Sequence, residues 1–85
     1  MRTEQEYMRE AYEASQELAR RSTDNAERIG AELAAARADY LAEPTEAKHA
    51  VCYGLTLKHG AALDTARNTR ALVEHYRLAI EGEQS

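Results

Sequence analysis

The stretch Tyr40-Leu41-Ala42-Glu43-Pro44-Thr45-Glu46-Ala47 decides the fold, because it holds the only proline of the chain. Proline disfavours helical geometry in the residue before it and fits a first helical turn. One helix is therefore expected over about 4–42, a turn at 43–44 and a second helix over about 45–81. Thr45 is the expected N-cap, with Glu46 in the electropositive first turn. The tail Gly82-Glu83-Gln84-Ser85 is expected to fray.

Reading back from the turn, a 4-3 spacing runs through Met8, Tyr12, Ser15, Ala19, Ser22, Ala26, Ile29, Leu33, Ala36 and Tyr40. A repeat held over the whole segment predicts one continuous helix with a single coiled-coil seam. Its weak point is Ser22-Thr23-Asp24-Asn25, four mediocre helix formers, where Asp24 and Glu27 also have capping-box spacing. Reading forward, Val51, Leu55, Ala62, Ala66, Thr69, Val73, Tyr76 and Ile80 trace a second stripe, interrupted by Lys58 and flanked by Cys52, Leu63 and Leu72. His59-Gly60 is a second weak point, since glycine commonly ends helices; a break there would give two pieces, 45–59 and 61–81.

Two long helices with so short a connection must fold back on each other. The expected fold is all-α, an antiparallel helical hairpin that dimerises into a four-helix bundle. A compact three- or four-helix bundle, broken at 22–25 and 59–60, is the alternative. In the hairpin, facing residue numbers sum to 87–88, which pairs Tyr40 with Ala47, Ala36 with Val51, Leu33 with Leu55, Tyr12 with Tyr76 and Met8 with Ile80.

Composition narrows the function. Eighty-five residues fill a single domain. The net charge of −4 argues against a nucleic-acid binder. A lone cysteine gives no disulfide framework, no apolar run reaches the ~20 residues of a membrane span, and the first residues do not form a signal peptide, so the expected setting is cytoplasmic. Alanine supplies 17 residues, whereas Leu, Ile and Val together supply 12, with no Phe or Trp. Burying alanine removes little apolar surface from water. So thin a core points to oligomerisation or a partner as the missing source of stability.

Catalytic signals are weak. His49 and Cys52 have helical i, i+3 spacing, but zinc needs at least three protein ligands and His59 lies two turns further on. Cys52 near His49 or His59 lacks an oxyanion device or a Gly-rich loop. No metal, cofactor or enzymatic activity is expected. Binding candidates are Arg20, Arg21, Arg67 and Arg70, which the hairpin register brings to one waist; guanidinium forks suit phosphate or carboxylate. Tyr7 and Tyr53 fall off both stripes and are candidate contact residues, tyrosine being favoured at interfaces. Gly30 and Gly54 inside helices suggest close approach by another helix.

The expected function is that of a small self-associating helical module, an adaptor, regulator or inhibitor that binds a protein partner. Such plainness is common among proteins encoded by phages or mobile elements. The alternatives are an oligomeric binder of a small anion such as a nucleotide, through the arginine waist, and a structural assembly component.

Overall fold

The computed structural model describes residues 1–84, with side chains described for residues 1–82. Two α-helices, α1 (Glu4–Ala42) and α2 (Glu46–Gln84), account for nearly all of it, and they pack against each other as a hairpin. Both starts are capped as their sequences dictate. Thr3 Oγ1 accepts a hydrogen bond from the Glu6 backbone N–H, and Thr45 Oγ1 accepts one from the Lys48 N–H, each at 3.2 Å. Glu43 closes α1 with its N–H on the Asp39 carbonyl, and Pro44 then prevents continuation.

Neither weak point breaks a helix. At 22–25 the Ser22 hydroxyl donates to the Leu18 carbonyl, Arg20 pairs with Asp24, and Arg28 donates to Asn25, so the polar side chains support the helix they were expected to weaken. At Gly60, termination would require the left-handed backbone of a C′ glycine, and no described glycine has positive φ. The expected split into 45–59 and 61–81 is therefore absent. The tail expectation also fails for its first three residues. Helix α2 continues through Gly82 to Gln84, since Glu and Gln are good helix formers and no proline follows. Ser85 lies outside the described residues.

The α1 seam is the one its spacing predicts. All ten positions from Met8 to Tyr40 are buried or half-buried, and the six buried residues of α1 all belong to it. The α2 seam differs from the expected stripe in its first half. It runs Lys48, Cys52, Leu55, His59, Ala62, Ala66, Thr69, Val73, Tyr76 and Ile80, an unbroken 4-3 repeat. Val51 is 55% exposed and lies beside the seam; Cys52 lies on it. Lys58 interrupts nothing, because the seam position is His59. Two substitutes for apolar residues explain the mistaken phase. Lys48 extends to Asp39 and Glu43 at the turn, with Nζ 3.2 Å from each, and so can occupy a terminal seam position while its charge stays in water. His59 lies against Gly30, where an added Cβ would stand 3.0 Å from its Nε2.

Position by position the two seams pair with a constant sum of 88, from Met8 and Ile80 at the open end to Tyr40 and Lys48 at the turn. The middle is made of small residues: Ser15, Ala19, Ser22 and Ala26 of α1 with Ala62, Ala66 and Thr69 of α2, all buried. Thr65, beside this stretch on α2, is exposed. Among the described residues only Ile29 and Leu33 are large and buried. Hydroxyls in this waist are satisfied locally, Ser15 on the Tyr12 carbonyl and Thr69 on the Ala66 carbonyl, so no described buried polar side-chain atom lacks a partner.

Candidate functional site

A single layer of two helices has two broad faces, and the rows flanking the seam at seven-residue intervals give them different chemistry. On one face run Ala11, Leu18, Asn25, Glu32 and Asp39 of α1 beside Val51, Lys58, Thr65, Leu72 and Ala79 of α2. On the other run Arg9, Gln16, Thr23, Gly30 and Arg37 beside His49, Thr56, Leu63, Arg70 and Arg77. The first face is the less charged and carries Leu18, Val51 and Leu72, all exposed. The second carries four arginines in its flanking rows.

The expected arginine waist does not assemble as one site. Arg20 is held on its own helix, donating to both Glu17 oxygens and to Asp24. Arg21 donates through Nε to Glu17 at 2.9 Å. Arg67 points outward, 3.8 Å from Asp64. Arg70 has no ion-pair partner among the described residues; it shares a groove on the second face with Arg20, Asp24 and Val73. Arg21 lines a different groove, on the first face. The reason is angular. Arg20 and Arg21 are consecutive, about 100° apart around the helix, and so straddle it. The pair Arg20–Arg21 holds the Glu17 carboxyl well below its usual range, down to about 2, Arg20 being the larger cause.

The groove that receives Arg21 has a volume of about 410 Å³ and is lined by Arg21, Ser22, Asn25, Ile29, Lys58, Ala61, Ala62 and Thr65. Lys58, read in the sequence only as an interruption, lines the other end of this groove, opposite Gly30 in the register and nine residues along from the level of Arg21. A helical wheel phased on His59 would have found it; the phase through Val51 concealed it.

Tyr7 and Tyr53 are both exposed, by 57% and 63%, but they do not form one patch. Tyr7 stands near the open end with Arg2 6.0 Å above its ring, whereas Tyr53 projects near the turn from α2. The close approach expected at Gly30 is made by the His59 ring of α2, whereas Gly54 faces open space. His49 packs near the Tyr40 ring at 5.8 Å, while Cys52 is a free, half-buried thiol on the seam. Among the described residues no three His, Cys, Asp or Glu side chains converge to hold a metal, and neither helix is long and apolar enough to cross a membrane. No protein family, curated protein or solved structure matches this chain.

Proposed function

We propose that this chain is a small helical protein-interaction module that acts by binding, without catalysis, in a cytoplasmic setting. Two copies stack through the face bearing Leu18, Val51 and Leu72 to form a four-helix bundle, and a partner protein meets the outer surface. One observation carries the reading. Leu18, Val51 and Leu72 are exposed on this face, while the seam is filled mainly by small residues; Leu41, Leu57, Leu63 and Leu78, exposed elsewhere, are left for the partner protein.

Folded domains bury their apolar stripes between at least two layers. Here the Cα atoms span 61 × 23 × 14 Å, the thickness of one layer. A face of that length and width offers more than the roughly 800 Å² per partner of a standard stable interface. A second copy supplies a face of the same low charge, and two such faces can close by a two-fold axis. Arg20 and Arg77, each paired with two carboxylates of its own helix, lie off this face.

Sedimentation equilibrium from micromolar to millimolar concentration tests this. The expected mass is twice that of the chain. Leu18→Glu/Leu72→Glu is expected to return it to the monomer while circular dichroism stays helical. A wild-type chain that remains monomeric and stably folded throughout the range would overturn the reading.

A further inference from the structure

The face bearing Leu18, Val51 and Leu72 also carries two opposite charges that the single chain does not pair. Lys58 Nζ makes no hydrogen bond or ion pair among the described residues. Glu32 stands in the facing row of α1, two residues from the level of Lys58. It accepts from Arg28 through Oε1 at 3.2 Å, which leaves Oε2 open to another donor. Such a pair on an apolar face contributes little affinity, but it disfavours any arrangement that covers the two charges unpaired.

Two copies stacked through this face with their helices aligned can close by a two-fold axis in two ways, and the register distinguishes them. In the antiparallel way, α1 lies on α1 and α2 on α2, with the turn of one hairpin over the open end of the other. Full overlap then sets Leu18 on Glu32 and Leu72 on Lys58, and brings Arg21 to Arg28 of the second copy. Each of these covers a charge with an apolar side chain or a like charge. Sliding the copy until leucine meets leucine leaves the turn ends of both hairpins, with exposed Val51, uncovered. In the parallel way, α1 lies on α2 and equal levels meet. Leu18 then lies on Leu72 and Glu32 on Lys58, each twice, with one common offset of two residues, about 3 Å along the axis. Arg21 and Arg28 fall level with Asn68 and Ala61 and meet no cation. Asp39 falls level with Val51 at the turn end, where Lys48 already holds it.

We infer that the second copy lies parallel to the first, both turns at one end, with Lys58 of each chain paired to Glu32 of the other. The inference rests on the self-association proposed above and adds its direction and its specificity. The occupant of the face is a second copy of this chain, recognised by a leucine pair in one half and a crossed charge pair in the other. Only a seam phased through His59 brings Lys58 onto this face.

Lys58→Glu and Glu32→Lys, both at positions exposed in the single chain, test it by sedimentation equilibrium, alone and mixed. Alone, each sets two like-charge pairs in the interface, and the dimer dissociation constant is expected to rise about tenfold or more. Mixed in equal amounts they form a heterodimer in which both pairs are opposite again, and the constant is expected to return close to the wild-type value. A Lys58–Glu32 contact within one chain cannot be restored by mixing, so recovery assigns the pair to the interface. Independently, spin labels on Leu41→Cys/Cys52→Ala, beside the turn, are expected to lie well inside the 61 Å length of the hairpin, whereas the antiparallel dimer sets them at a distance approaching it. This measurement carries the test if a charge variant loses its helical circular dichroism. A wild-type chain that stays monomeric overturns the self-association itself. A wild-type dimer whose charge variants are not rescued by mixing, or whose turn labels lie nearly a hairpin length apart, overturns the parallel arrangement and leaves self-association standing.

Discussion

The middle of the seam and its two ends solve the same packing problem in opposite ways. At the waist, Ser, Ala and Thr side chains let the helices approach until each small residue is covered, Ala66 to 2% and Ser15 to 3% exposure. Toward the ends, Tyr12 with Tyr76 and Met8 with Ile80 are larger yet only half-buried. Close approach covers area completely but has little area to cover; bulky pairs have area but no second layer to cover it. Leu33, at 3% exposure, is where size and coverage coincide.

Substitutions that exchange these solutions should have the largest effects. Leu33→Ala is expected to cost about 2–3 kcal/mol in urea unfolding at fixed protein concentration. Ala66→Leu, which forces bulk into the waist, should cost about 1–3 kcal/mol. The same exchange at exposed Ala34 should stay within about 0.5 kcal/mol. Equal costs for Ala66→Leu and Ala34→Leu would mean that the waist is not closely packed.

The glycines sharpen the contrast on a smaller scale. Gly54 and Gly60 lie in a helix with nothing near a new Cβ, so Gly54→Ala and Gly60→Ala should each stabilise by about 0.5–1 kcal/mol. Gly30→Ala should gain less or lose stability, because its Cβ would crowd the His59 ring. Thermal midpoints of the three variants decide this, and an equal gain in all three would remove His59 from the seam.

The smallest expected effect is electrostatic. The Glu17 carboxyl is lowered from 4.5 to about 2 by Arg20 and then Arg21. A depressed folded-state value stabilises the fold above the unfolded value and is lost as pH falls through the folded one. The contribution should therefore fade between pH 4.5 and about 2, only slightly, since these groups are exposed. Stability curves of wild type and Glu17→Gln should converge across that window; curves that stay parallel would show that the pair is energetically silent.

Much of this architecture is legible without coordinates. The proline at 44 sets the turn, Thr45 starts the second helix, and the ten positions from Met8 to Tyr40 declare their seam because each is apolar or small. The second seam is not legible in the same way. Lys48 and His59 occupy seam positions that hydrophobic spacing assigns to neighbours, which moved the phase to Val51 and hid Lys58.

What the sequence alone determined is the hairpin and its register to within one residue, because local propensity, one proline and a 4-3 repeat act along the chain. Which side chains share a face was decided by tertiary structure. Asp39 and Glu43 hold Lys48 at the turn, and Gly30 makes room for His59. Both relations join residues across the turn, and a rotation of α2 by a single position changes which cations line a groove together.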